Sequence, residues 1–206
     1  MTVPTKTETP DVLEELRCVL QAKLDSQKVQ SERNKLGQFA TPTRLARGML
    51  DYGLSLLPES TPIRFLDPAI GTGSFYSALM ATCRHRPMDW SRGFEVDAHY
   101  GLPAQKLWQH TPLEITLADF TQQAPPAHDA DRPNLLICNP PYVRHHHLNG
   151  LDKQRLQSAA RSAALVELSG LAGLYCYFMA LAHPWMSRDG VAGWLIPSEF
   201  MDVNYG

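Results

Sequence analysis

The residues best suited to chemistry are Asn139-Pro140-Pro141-Tyr142, which follow the apolar run "NLLIC" at residues 134 to 138. Two consecutive prolines fix the backbone and remove two N–H donors, so a pocket rim at this point is rich in acceptors. The Asn139 side-chain oxygen and the Pro140 carbonyl can both accept from one NH2 group. Acceptors that grip both hydrogens of an aromatic amine free its lone pair for attack, and Tyr142 can stack on the ring. The stretch predicts a site for an aromatic amine; its plainer interpretation is a strand end stiffened by proline.

A second motif, "FLDPAIGTGSF" at residues 65 to 75, combines a strand end, an acid, a glycine-containing loop and a helix start. Gly71 and Gly73 let the backbone approach a ligand where a β-carbon would collide, and Asp67 can accept hydrogen bonds from a cationic group. No Gly-Lys-Ser/Thr follows and the G-x-G-x-x-G spacing is absent, which argues against a phosphate loop or a dinucleotide fingerprint. Alone, the motif fits a tight strand-to-helix turn as well as a cofactor loop.

Two further acids stand at the ends of apolar runs. Glu95 comes 22 residues after Gly73, where a doubly wound fold places the carboxylate that holds ribose hydroxyls. Asp119 offers an acceptor for an exocyclic amine, and Phe120 beside it offers an aromatic face for a purine. Singly, each acid is a common cap or turn residue. Together with Asp67 they place acids at three successive strand ends, which predicts a nucleoside ligand with a cationic tail.

These motifs need a scaffold that brings the ends of several strands together. Short apolar runs alternate with stretches of helical spacing, and this alternation predicts an α/β fold with a parallel sheet covered on both faces. The site is then expected at the carboxyl ends of the strands. The predicted strands are residues 63–67, 93–96, 113–118, 134–139 and 191–196, and the helices between them are 74–86, 98–110 and 172–187.

Two helices are expected before the first strand. Asp11 can cap a helix that runs to about Asn34 and forms an arm or lid. Its apolar stripe consists of Val12, Leu13, Leu16, Val19 and Leu20. After a break at Gly37, a second helical stripe ends at Pro58. Residues 143–170 are too long for a bare linker and are expected to face the substrate.

Composition sets broad limits on the protein. The chain has 206 residues, of which 44% are hydrophobic, enough for one sizeable domain with a core or a domain plus an arm. A formal net charge of −2 gives no whole-chain basic footprint of the kind typical of nucleic-acid binders. No apolar run approaches the ~20 residues of a membrane span and the N-terminus lacks a secretory signal, so the cytoplasm is the expected location.

Metal-ligand patterns are weak. The four cysteines stand far apart, which argues against a zinc knuckle or a disulfide framework and favours reduced thiols. They are Cys18, Cys83, Cys138 and Cys176. Adjacent histidines at residues 145–147 diverge and have no evident acidic partner, so phosphate contact or plain loop exposure is the preferred interpretation. No metal site is predicted.

Five motifs in this order resemble a known family. They are "GQFATP" (37–42), "DPAIGTGSF" (67–75), "GFEVD" (93–97), "ADF" (118–120) and "NPPY" (139–142). Residues 37–206 resemble the catalytic domain of S-adenosylmethionine-dependent DNA adenine-N6 methyltransferases of bacterial restriction-modification systems. Because "GQFATP" comes before the glycine loop, the arrangement is similar to the gamma order, in which the target-recognition domain comes last. Residues 1–36 then form an N-terminal helical arm.

The resemblance implies a Rossmann-like class I methyltransferase fold and a role for each motif. Double-stranded DNA would be the substrate, with the target adenine flipped into the pocket of residues 139–142. S-adenosylmethionine would lie in the crevice, with its methionine part against the first motif and the glycine loop, its ribose against Glu95 and its adenine against Asp119 and Phe120. The implied cofactor-binding residues are Gly37, Phe39, Thr41, Pro42, Asp67, Pro68, Ala69, Gly71, Thr72, Gly73, Glu95, Val96, Asp119 and Phe120.

The resemblance also sets an expectation about extent. Methyltransferases of this class have seven strands, and five are counted here, so the last strands and a target-recognition domain are expected to be missing or supplied by a partner chain. Similar "NPPY" motifs occur in enzymes that methylate glutamine amides of release factors or guanine amines of ribosomal RNA. A cofactor-binding fragment or partner subunit without turnover is a further alternative.

Overall fold

The computed structural model describes residues 9–83 and 85–198, which form seven α-helices and five strands. The helices are α1 (Pro10–Ser26), α2 (Gln30–Lys35), α3 (Thr43–Ser55), α4 (Ser74–Thr82), α5 (Ala98–Trp108), α6 (Gly150–Ala164) and α7 (Leu174–Ala182). The strands are β1 (Ile63–Asp67), β2 (Met88–Glu95), β3 (Leu113–Leu117), β4 (Leu135–Cys138) and β5 (Val191–Trp194).

The described strands form one parallel sheet in the order β3-β2-β1-β4-β5. Strand β1 pairs with β2 on one side and with β4 on the other. The chain winds outwards to β3 and then crosses back over β1 to reach β4, which makes the boundary between β1 and β4 the topological switch point. The predicted α/β architecture is confirmed, and a crevice opens at the carboxyl ends of these strands.

Helices cover both faces of the sheet, and successive residues of the central strand β1 pack against opposite faces. Phe65 of β1 packs with α3 and α4, whereas Leu66 packs on the opposite face with Phe178 of α7. All four residues of β4 are buried. Burying one such apolar side chain contributes about 1.5–3 kcal/mol, so this core fixes the strand ends that carry the crevice residues.

The N-terminal arm differs from the prediction. The cap of α1 is Thr9, whose hydroxyl accepts from the Val12 N–H at 3.4 Å, and not Asp11. The predicted single helix is two helices, because residues 27–29 turn the chain and allow Lys28 to form an ion pair with Asp97 at the start of α5.

The buried face of α1 is also not the predicted apolar stripe. Leu13 is buried, whereas Val12, Leu16 and Val19 are 43–69% exposed. The other buried residues of the helix are Arg17 and Leu24. The sequence pattern failed here because a buried ion pair, rather than apolar packing, fills the middle of this face.

The remaining differences concern boundaries. Strand β2 begins at Met88, five residues before the predicted start, since its polar residues pair with β1 and β3. Residues 143–170, predicted to be more than a bare linker, contain a short 3-10 helix and α6. Residues 199–206 lie outside the described part of the chain. Among the described residues, no helix is long and apolar enough to cross a membrane.

Candidate active site

A crevice lies where β1, β2, β3 and β4 end, and it brings together most of the residues predicted from the motifs. Those that line it are Gly37, Phe39, Thr41, Asp67, Pro68, Ala69, Gly71, Thr72, Glu95, Val96, Asp119, Phe120, Asn139 and Pro141. Four predicted residues do not line it. Pro42 and Gly73 precede α3 and α4 as helix caps, Pro140 is buried behind the wall, and Tyr142 lines a second cavity.

The glycine loop between β1 and α4 adopts the left-handed conformation at both of its glycines. Gly71 has a φ of 56°, and a β-carbon there would meet no atom within 4 Å, which leaves space beside the backbone. Gly73 has a φ of 92°, and a β-carbon there would lie 2.6 Å from the Trp108 indole nitrogen. That nitrogen donates to the Thr72 carbonyl at 2.9 Å, so α5 holds the loop against the crevice.

Asp67 ends β1 with only 1% of its surface exposed. Its Oδ1 accepts from the Ala69 N–H at 3.1 Å, and the Cys138 thiol donates to the same carboxyl group. Burial raises the pKa of Asp67 to about 7, an effect that the charge of Glu95 reinforces and the two hydrogen bonds oppose. A cationic ligand group in the crevice would favour the ionised form and would be held by it.

Glu95 ends β2 and points into the crevice with a fixed orientation. Its Oε2 accepts from the Gly71 N–H at 2.9 Å and its Oε1 from the Asp97 N–H at 2.8 Å. Burial raises the pKa of Glu95, and these backbone hydrogen bonds oppose the rise. Each carboxylate oxygen accepts about two hydrogen bonds, so both can still accept from vicinal hydroxyls such as those of a ribose.

Asp119 follows β3, and its carboxylate is already engaged. Oδ1 accepts from the N–H and hydroxyl of Thr121 at 2.9 and 2.7 Å. Oδ2 accepts from Gln122 at 2.8 Å and lies 3.6 Å from the Arg155 guanidinium of α6. An exocyclic amine would therefore have to share this carboxylate or displace Gln122. The Phe120 ring is only 2% exposed and packs against Phe94, Phe178 and Trp185, so it contributes to an apolar end of the crevice and leaves little of the predicted face open.

The "GQFATP" and "NPPY" segments are clamped together. Gly37 has a φ of 64°, and a β-carbon there would lie 2.2 Å from the Tyr142 nitrogen, so only glycine allows this approach. The Asn139 amide nitrogen donates to the Phe39 carbonyl at 3.0 Å and to the Thr41 hydroxyl at 3.1 Å. Both amide hydrogens are thereby used, and the side chain is fixed.

The consequence is an acceptor without a donor. The Asn139 Oδ1 atom is buried and has no hydrogen-bond partner among the residues that the structure describes. An unpaired buried acceptor costs about 1–3 kcal/mol, and such atoms in native proteins call for an explanation. A ligand NH2 group that enters the crevice beside Asn139 would supply the missing donor.

Tyr142 and Phe39 separate this crevice from the second cavity. Their rings are stacked, with centroids 5.6 Å apart and an interplanar angle of 29°. The Tyr142 hydroxyl donates to the Leu195 carbonyl at 2.9 Å, which fixes the ring. Because one face of Tyr142 is covered by Phe39, an incoming ring can stack only on the other face.

Comparison with known proteins gives the family. The model of the Eco57I restriction-modification methylase family matches residues 89–206, more than half of the chain. The chain belongs to this family. The match covers β2 to β5, the "NPPY" motif and α6.

Similar proteins agree with this assignment. The type II methyltransferase M.AccI of Acinetobacter calcoaceticus is 27% identical over 175 residues, 84% of this chain and 30% of that protein. The type II methyltransferase M.XamI of Xanthomonas campestris pv. amaranthicola is 26% identical over 178 residues, 84% of this chain and 32% of that protein. This Eco57I-family chain thus spans about a third of the length of these relatives.

A solved structure confirms the class I fold. A protein from Listeria monocytogenes described as a class I S-adenosylmethionine-dependent methyltransferase superposes with a TM-score of 0.69 at 16% identity, over 98% of this chain and 58% of that one. The predicted fold and family are confirmed. S-adenosylmethionine is the cofactor that goes with this methylase family and fold.

The crevice of this Eco57I-family chain fits that cofactor. Asp67 is a buried acid suited to a cationic tail, and Glu95 offers two oriented oxygens suited to ribose hydroxyls. Phe120 and Phe178 form an apolar end suited to a purine. The open space beside Gly71 admits a ligand close to the backbone.

Sequence reasoning missed the contribution of α1 to this site. Gln21 and Asp25 line the crevice. Gln21 accepts from the Thr72 hydroxyl at 2.6 Å, and the buried Arg17 donates to the same hydroxyl at 3.3 Å. Arg17, Gln21 and Asp25 recur every four residues between apolar positions, and this polar stripe on one helical face was the available signal.

Arg17 is itself held by Glu14. Its Nε donates to Glu14 at 2.7 Å and its Nη2 at 2.8 Å, a bidentate pair. Burial would raise the pKa of Glu14, but hydrogen bonds from Arg17, Ser77 and Thr43 outweigh it and lower that pKa to about 2. The arm is thus locked to the glycine loop through charged groups.

Proposed function

We propose that this chain transfers a methyl group from S-adenosylmethionine to the N6 amine of adenine in DNA. The observation that carries the proposal is the buried Asn139 Oδ1 without a partner in the described part of the chain, held by Phe39 and Thr41 at the edge of the crevice. Adenine N6 is an aromatic amine with two hydrogens, the ligand group that such an acceptor would hold. Family membership and the type II methyltransferase relatives support the reaction class.

The proposed mechanism relies on positioning. The cofactor supplies a methyl group on a sulfonium, which is already an excellent electrophile. Asn139 Oδ1 would accept from one N6 hydrogen, which would help to turn the nitrogen lone pair towards the methyl group, and the nitrogen would release one proton to water after methylation. Asp67 and Glu95 would hold the donor in line. Alignment of two reactants in this way can lower a barrier by roughly 7–11 kcal/mol, so no nucleophilic cysteine or metal is needed.

The target base would have to leave the duplex to reach Asn139. Flipping costs a few kcal/mol, which stacking and contacts to the Watson-Crick edge offset. We propose that the uncovered face of Tyr142 receives the adenine ring. Stacking of a base on an aromatic side chain contributes about 1–3 kcal/mol.

We further propose a division of labour along the chain. Residues 1–36 would act as an arm that closes the cofactor crevice, and residues 37–206 would form the catalytic domain. Sequence-specific base contacts would come from a target-recognition domain or a partner chain, because phosphate contacts position a protein on DNA whereas base contacts specify the sequence.

One experiment separates this proposal from its rivals. The chain is incubated with S-adenosylmethionine labelled in the methyl group and with unmethylated duplex DNA, ribosomal RNA or release-factor protein in parallel. Label in DNA alone supports the proposal. Label in guanine of RNA or in a glutamine amide would replace it with the corresponding alternative. Cofactor binding without label in any acceptor would indicate a binding subunit.

A further inference from the structure

A second cavity lies next to Tyr142 and shares Phe39 with the cofactor crevice; its volume is about 1000 Å³. It is lined by Ser31, Asn34, Lys35, Phe39, Tyr142, Val143, Arg144, His145, His146, His147, Leu171, Gly173, Tyr175 and Pro197. Five of these residues are basic or histidine, three are aromatic and none is acidic. That imbalance stands out in a chain with a net charge of −2.

The basic side chains come from two separate elements and form one rim. Lys35 ends α2 of the arm, whereas Arg144 and residues 145–147 follow the "NPPY" motif. Lys35, Arg144, His146 and His147 are exposed. Neither Lys35 nor Arg144 forms an ion pair with a described acid, so the rim keeps its charge.

The closeness of these basic side chains affects the pKa of His147. Desolvation lowers the pKa of this histidine, and the charges of His146, Lys35 and Arg144 lower it further. The groups that face it are thus cationic or neutral, and the tyrosines Tyr142 and Tyr175 are the other titratable residues of the lining. A site that concentrates like charge in this way is suited to a polyanion that neutralises it.

We propose that the rim of Lys35, Arg144 and residues 145–147 binds the DNA phosphates that flank the target nucleotide. The inference rests on the proposed function and deepens it. Arg144 is two residues beyond Tyr142, so a phosphate at the rim is next to a base stacked on that ring. Because Lys35 belongs to α2, the arm is part of the DNA interface as well as a wall of the cofactor crevice.

Salt dependence of DNA binding tests the proposal, because each neutralised phosphate contributes about −0.9 to the slope of log affinity against log salt for duplex DNA. Fluorescence anisotropy with a labelled mixed-sequence duplex is measured for the full chain between about 50 and 200 mM salt. The Lys35→Ala/Arg144→Ala variant is expected to lower the magnitude of the slope by roughly one to two. Lys106→Ala is the matched control: this exposed lysine of α5 lines neither cavity, and its loss should leave the slope unchanged.

The histidines are tested separately. Replacing residues 145–147 by alanine should weaken DNA binding several-fold, because three side chains that can donate hydrogen bonds to phosphate oxygens are removed from the rim. The proposal would be overturned if both rim variants kept the wild-type slope of log affinity against log salt. It would also be overturned if the chain bound RNA more tightly than DNA and the rim substitutions weakened RNA binding to the same extent.

A cofactor titration distinguishes this failure from failure of the proposed function. Both rim variants should bind S-adenosylhomocysteine as wild type does in calorimetry. If wild type labels DNA but the rim variants keep its salt slope and its DNA KM, the phosphate rim is wrong and the methyltransferase assignment stands. If wild type binds no DNA at all, the rim proposal is overturned directly.

Discussion

The Asp67→Asn substitution should stabilise the unligated protein while weakening the cofactor. Burial raises the pKa of Asp67 to about 7, compared with 3.8 for a free aspartate. Above pH 7 the folded protein must hold a buried charge that the unfolded chain solvates freely. About three pKa units correspond to roughly 4 kcal/mol, which is an upper limit because the folded state relaxes around the charge.

The sign of the pH dependence follows from proton counts. Between about pH 4 and pH 7 the folded state binds more protons at Asp67 than the unfolded state, so this carboxyl makes the free energy of unfolding fall as pH rises, with no further loss above pH 7. Asparagine does not titrate and keeps an acceptor for the Ala69 N–H. Asp67→Asn should therefore raise the free energy of unfolding by 1 to about 4 kcal/mol at about pH 8, and change it little at about pH 4.5.

Chemical denaturation at the two pH values measures the change in the free energy of unfolding. The control is Asp51→Asn, because Asp51 is an exposed residue of α3; this substitution should change stability little at either pH. The same variant should bind S-adenosylmethionine more weakly by about 1.5–3 kcal/mol, since a hydrogen bond to a charged group is lost. Equal destabilisation at both pH values, or undiminished cofactor affinity, would refute the assignment of Asp67 as the buried acid of the cofactor site.

Three further predictions concern other contacts. Asn139→Ala should keep cofactor affinity in calorimetry and lose methyl transfer, because it removes an acceptor used on the target amine; near-normal turnover would contradict this role. Arg17→Met should leave Glu14 without its ion-pair partner, lower the melting temperature and weaken cofactor binding by loosening the glycine loop. Adding Glu14→Gln should recover part of the lost melting temperature; no recovery would argue against loss of the buried ion pair as the cause of the destabilisation. Gly73→Ala should destabilise the fold by about 1–3 kcal/mol, whereas Gly71→Ala, with open space at its β-carbon, should cost less; the reverse order in thermal melting would show that the loop is packed differently.

The sheet could be predicted from the sequence because its strands satisfy local rules. The apolar run before Asn139 is buried on both faces, as a central parallel strand must be, and the alternation of such runs with helical stretches predicted a parallel sheet, although not its strand order. The acids at 67, 95 and 119 could be placed together for the same reason, since parallel strands end at one edge.

What sequence reasoning missed depends on contacts between distant residues. The break between α1 and α2 places Lys28 in an ion pair with Asp97, 69 residues away. The fixed amide of Asn139 depends on Phe39 and Thr41, about 100 residues away. The buried Arg17 contradicts the usual preference of arginine for the surface, and only its pairing with Glu14 permits it. No local pattern encodes these partners.

The most direct test of the central claim is the identity of the methylated nucleoside. Genomic DNA from a host strain without DNA methylation, expressing the full chain, is digested to nucleosides and measured by mass spectrometry. N6-methyl-2′-deoxyadenosine should appear with wild type and be absent with Asn139→Ala expressed at the same level. Methylated cytosine in its place, or methylated adenine that persists in the Asn139→Ala strain, would contradict the account of Asn139 as the acceptor for the adenine amine.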